Sequence, residues 1–75
     1  MLETIRKILA QYTEVEEDLI REDSNLQSDL DLNSFDVMNI VVEFEDTFDI
    51  EISDEDVSKL VTVKDIEDYL KAKGV

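Results

Sequence analysis

"LNSFDVMNIVVEFEDTFDI", residues 32–50, is the longest periodic stretch of the chain. Wound at about 100° per residue, Val37, Ile40, Val41, Phe44 and Phe48 share one wide stripe, as in a helix with one buried face. The helix is expected from Ser34 to Asp49. Phe35, Met38 and Val42 form a smaller apolar set on another side, with Asn39, Glu45, Asp46 and Asp49 around it. That set either packs under a neighbouring segment or stays exposed as a small interface ringed by acids. The exposed reading is preferred for Phe35 and Val42, whereas Met38 lies nearest the core stripe.

Around this helix the sequence predicts three others. Residues 2–13 place Leu2, Ile5, Ile8, Leu9 and Tyr12 on one stripe. A short helix is expected at 54–60 and a last one at 63–73, stopped near Gly74, the only glycine. Residues 14–33 have no sustained period and read as a long loop, pinned to the core by Leu19, Ile20, Leu26, Leu30 and Leu32. The fold class expected is an all-α four-helix bundle with a long first loop and a short third helix. The whole chain, 1–75, reads as one domain.

Three helix starts repeat one phrase. In "ISDEDV" Ser53 stands at the cap with Asp56 three residues on, and Ile52 and Val57 flank them. "VTVKDI" repeats this with Thr62, Asp65, Val61 and Ile66. "LNSFDV" does so with Asn33, Asp36, Leu32 and Val37. In the first two a hydroxyl residue caps. In the third Asn33 takes that position, so Ser34 falls one step inside with its hydroxyl free. It sits where unpaired N–H groups and the helix dipole favour an anion, a setting that suits a serine receiving a phosphate.

The same segment superficially matches a calcium loop through Asp29, Asp31 and Asn33. Such a loop needs Gly at its sixth position and Glu at its twelfth. Ser34 and Ile40 stand there instead, and Leu30 and Leu32 separate the supposed ligands. No metal site is expected.

Composition narrows the chemistry further. With 43 % hydrophobic residues the chain can bury a core, and with no proline it favours helices joined by polar loops. It has no Cys and no His, hence no disulfide, no thiol nucleophile and no ordinary Ser-His triad. Any reactive thiol must be brought in. The absence of a signal-peptide form or a bilayer-length apolar run makes the cytoplasm the expected location, without membrane insertion. A net charge of −14 repels nucleic acid and anionic membranes and suits a basic protein partner. Thirteen Asp and Glu lie between Glu22 and Ser58, where there is no Lys or Arg; all seven bases lie outside. A continuous acidic stretch of this kind reads as a docking surface.

With Ser34, its acidic helix and the four-helix pattern together, the chain resembles the acyl carrier protein family over essentially its whole length. The most specific part is "LNSFDVMNIVVEFEDTFDIEISDED", similar to the family's Asp-Ser-Leu motif, acidic helix and exit; "LVTVKDIEDYL" resembles its last helix. The resemblance implies a carrier rather than an enzyme. Ser34 would bear 4′-phosphopantetheine, transferred from coenzyme A by a phosphopantetheinyl transferase that supplies base and metal. The arm would bring the missing thiol and hold acyl groups as thioesters. The core-facing residues of the second helix would help to shelter the chain. Acyltransferases, ketosynthases or other acyl-processing enzymes with basic surfaces would dock at Phe35, Asp36, Val42, Glu43 and Asp46. A monomer is expected. Asn33 stands where the family usually has Asp, Asp31 where Gly often lies, Asn39 at a frequent acid and Ser53 at a frequent Pro. These departures favour a specialised carrier in a lipid, polyketide or amino acid pathway over the housekeeping carrier of fatty acid synthesis. The alternative is an unmodified acidic helical interaction module.

Overall fold

The computed structural model describes residues 1–75, and four helices carry the fold. They are α1 (Leu2–Ala10), α2 (Ser34–Phe48), α3 (Asp54–Val57) and α4 (Val63–Ala72). Each is shorter than its sequence period suggests. Beyond Ala10 the backbone tightens into bonds from Gln11 N to Ile8 O and Tyr12 N to Leu9 O. α3 ends at Val57 for the same reason, with Lys59 N bonding Asp56 O and Leu60 N bonding Val57 O. α2 stops where Asp49 turns left-handed, φ 53°. At the end of α4, Gly74 takes φ 84° and Val75 N returns to Leu70 O, so glycine is placed where the chain needs it.

Fifteen apolar residues form one core, with Ile5 and Leu9 of α1, Ile40 and Phe44 of α2, and Val63 and Leu70 of α4 near its centre. Val37 and Phe48 are partly buried against it, and Phe48 stacks on Phe44 with ring centroids 6.2 Å apart. The long first loop is built rather than loose. Ile20, Leu26, Leu30 and Leu32 are buried as expected. Leu19 is not: it is 64 % exposed, because a 3₁₀ turn at Glu17–Leu19 directs Ile20 inward and leaves Leu19 outside. Polar groups do the work that Gly and Pro do elsewhere. Asn25 Oδ1 accepts from Gln27 N and Ser28 N, and the Thr13 hydroxyl donates to Leu30 O at 2.8 Å. A short antiparallel bridge, Asn25 to Thr62, joins the loop to the α3–α4 linker, with Leu26 N donating to Val61 O at 2.9 Å.

Candidate functional site

The start of α2 bears out the comparison of the three helix starts. Asn33 is the cap: its Oδ1 accepts from Asp36 N at 2.8 Å, and Asp36 Oδ2 accepts from Asn33 N at 3.2 Å. Ser34 is the first helical residue; it is exposed, and its hydroxyl bonds to nothing in the chain. Two of the three supposed calcium ligands are otherwise engaged. Asp29 accepts from Asn25 N at 2.7 Å, Asn33 caps, and Leu30 and Leu32 are buried between them. Asp31 holds φ 54°, a left-handed conformation that costs an L-residue energy and that glycine takes freely.

Ser34 opens onto a groove of about 290 Å³. Val37 and Met38 form its α2 wall; Val57 at the end of α3 and the following Ser58 face them; Leu26, Leu60 and Val61 lie beneath and beside. Of the core stripe of α2, only Val37 contributes, because Ile40, Val41 and Phe44 are packed away. Sequence reasoning missed the opposite wall. Val61, which with Ile66 flanks the start of α4, is 49 % exposed and borders the groove. The clue was available in the short, acid-rich third helix, which has too few apolar residues to close over its neighbour.

The second face of α2 is exposed. Phe35 is 74 % and Val42 52 % accessible, with Met38 close to the latter and Asp46 exposed beside them. Glu45 does not belong to this ring. It faces the α2–α3 linker, where its Oε2 accepts from Ile52 N at 2.9 Å. Of the five residues expected to dock partners, Phe35, Val42 and Asp46 project freely. Asp36 and Glu43 lie toward α1 and have internal duties: Asp36 completes the cap, and Glu43 accepts from the Tyr12 hydroxyl at 2.7 Å. That bond, together with burial and the charge of Glu43, raises the Tyr12 pKa above the ordinary phenol value.

Comparison with known proteins decides the family. Residues 3–70 match the family described as "Phosphopantetheine attachment site". The chain is 32 % identical over 71 residues to an acyl carrier protein of Campylobacter lari, covering 95 % of this chain and 92 % of that one. A solved structure of an acyl carrier protein from Enterococcus faecalis superposes with TM-score 0.82 at 38 % identity, covering 95 % of this chain and 90 % of that one. The chain belongs to the acyl carrier protein family. It is a carrier and not an enzyme, its cofactor is covalent phosphopantetheine, and it serves acyl-processing enzymes. The acyl carrier fold explains the division of labour around α2: one face holds the core, a second is offered to solvent, and a groove lies between α2 and α3. No helix of the carrier is long and apolar enough to cross a membrane.

Proposed function

We propose that Ser34 bears the 4′-phosphopantetheine of this carrier, and that residues 1–75 act as one carrier domain. One observation supports the site above others: the hydroxyl is unbonded and exposed at the start of a fifteen-residue helix whose capping is done by Asn33. A phosphodiester there meets the unpaired N–H groups of the first turn. The groove beside it has apolar walls from Val37, Met38 and Val57 and room for part of an arm or its cargo. When attached, the arm supplies the thiol that this Cys-free chain lacks and holds acyl groups as thioesters. In keeping with the family, base and metal for the attachment would come from the phosphopantetheinyl transferase, with coenzyme A as donor; this chain has no His to serve as base. This requirement is in keeping with a cytoplasmic location.

Phe35, Val42 and Asp46 form the centre of the docking face, with Asp36 and Glu43 adding negative charge along its α1 side. Acyltransferases, ketosynthases and related enzymes with basic surfaces are the partners that such a face suits, steered by charge and held by the apolar centre. A monomer meets these partners one at a time. The neutral Asn33, beside the modified serine, favours a specialised lipid, polyketide or related pathway over bulk fatty acid synthesis.

Intact mass spectrometry after incubation with coenzyme A and a broad-specificity transferase tests the site. Wild type gains one phosphopantetheine and Ser34→Ala gains none. No gain on wild type across several transferases would favour an unmodified interaction module, and a gain that persists in Ser34→Ala would move the site elsewhere.

A further inference from the structure

Three helices begin with a cap residue and an Asp three positions on, yet only two of the acids complete the same bond. Asp36 and Asp65 each reach back to the backbone N–H of the cap, as Asn33 N to Asp36 and Thr62 N to Asp65, the latter at 3.0 Å. Asp56 does not. Its Oδ2 accepts from the Tyr69 hydroxyl of α4 at 2.7 Å, while Ser53 still caps Asp56 N at 3.2 Å. Lys59 lies 3.8 Å from the other Asp56 oxygen, and Lys73 sits over the Tyr69 ring, 5.4 Å from its centroid. The acid of α3 is thus turned away from its own helix and toward α4.

Besides this bond, α3 is held to the rest of the protein through Val57, which is partly buried against the core. The helix is four residues long and none is fully buried; its nearest core anchors, Ile52 and Leu60, lie outside its ends. Yet Val57 and the following Ser58 form the wall of the groove that faces Val37 and Met38. The groove floor is closed by Leu26 and Leu60, both buried. A longer occupant therefore gains room between the two helices if α3 moves away from α2.

We infer that the Tyr69–Asp56 hydrogen bond is a tether that holds α3 in place, and so limits the cargo sheltered beside Ser34 to short and medium acyl chains. The cargo half of this inference rests on Ser34 being the attachment site; the tether half does not. The groove, at about 290 Å³, is roughly twice a cavity of about 150 Å³ that admits a benzene ring, so on the order of ten carbons fill it. Tyr69 acts here as a positioning residue, remote from the thioester.

Amide hydrogen exchange on the unmodified full chain tests the tether. In Tyr69→Phe the amides of Val57, Lys59 and Leu60, bonded to Ser53, Asp56 and Val57 carbonyls, should exchange about tenfold faster, the scale of losing one charge-assisted bond. Those of Ile40 to Phe44 should not change. Asp56→Asn, which keeps an acceptor for the phenol, should retain most of the protection. Unchanged exchange at the three amides, or uniform acceleration across the chain, overturns the tether. Hydroxylamine cleavage of the loaded protein then tests the cargo limit. The palmitoyl thioester, too long for the groove, should be cleaved several-fold more slowly in Tyr69→Phe than in wild type, and the acetyl thioester equally in both. Equal palmitoyl rates alongside faster amide exchange overturn the link to cargo. Failure of wild type to load overturns the Ser34 assignment instead, and leaves the exchange result to decide the tether.

Discussion

Asn33→Ala and Ser34→Ala are truncations of adjacent residues with unequal expected costs. Asn33 Oδ1 holds Asp36 N at 2.8 Å, and the alanine variant leaves that donor to water. The reciprocal bond from Asn33 N to Asp36 survives, because its donor is backbone. Loss of a side-chain cap at an exposed helix start costs about 1 kcal/mol. The Ser34 hydroxyl has no partner to lose, and Ala is the better helix former, so Ser34→Ala should lie within about 0.5 kcal/mol of wild type. For a domain of this size, 1 kcal/mol is about 4–8 °C in Tm. Thermal and urea unfolding of the unmodified proteins by circular dichroism, fitted as two-state transitions, reads the difference directly. Asn33→Asp should hold close to wild type, since Asp caps equally well. If Ser34→Ala costs as much as Asn33→Ala, Ser34 shares the capping and the argument for its free hydroxyl fails.

Asp31→Gly should raise stability by about 0.5 kcal/mol, as relief of the left-handed conformation outweighs the added freedom of the unfolded chain; a lower urea midpoint would show that the Asp31 side chain contributes something else. Phe35→Ala should leave the melting temperature nearly unchanged, given 74 % exposure, while phosphopantetheine transfer slows several-fold. Asp46→Lys should do the same, most strongly at low salt; early unfolding of Phe35→Ala would instead assign that ring to the core. The Tyr69 hydroxyl is pushed up to about 12, first by burial and then by its bond to Asp56. Its contribution is therefore complete below the ordinary phenol pKa of about 10 and is lost as pH rises toward the folded value. Alkaline melts should show wild type losing stability in that window and Tyr69→Phe losing less; parallel curves would contradict the bond. Asp56 is held below its usual range, chiefly by the Tyr69 hydroxyl, so the acid side of the same pair should persist until pH falls below the ordinary carboxylate range.

The helices were legible because each carries its own instructions. The stripe of α2, the repeated cap phrases and Gly74 act within a few residues, and local geometry cannot easily override them. The site was legible for the same reason: assigning the cap to Asn33 frees Ser34 by position alone. The exposure of Phe35 and Val42 also followed from angular position on one helix. Angular position failed for Glu45, since Ile52 N is brought to it by a turn that helical winding does not describe. Leu19, in a loop without a period, had no angular position to read, and the 3₁₀ turn that turns it outward is set by the tertiary fold.

The sequence alone determined the four helices, the caps of three of them, the acidic stretch and a serine without structural employment. Tertiary structure decided what surrounds that serine. Val57 and Val61 border a groove and Asp56 serves α4 instead of its own cap, because packing brings together residues separated along the chain. Such neighbours depend on how the elements come to rest on one another, which no short-range signal encodes.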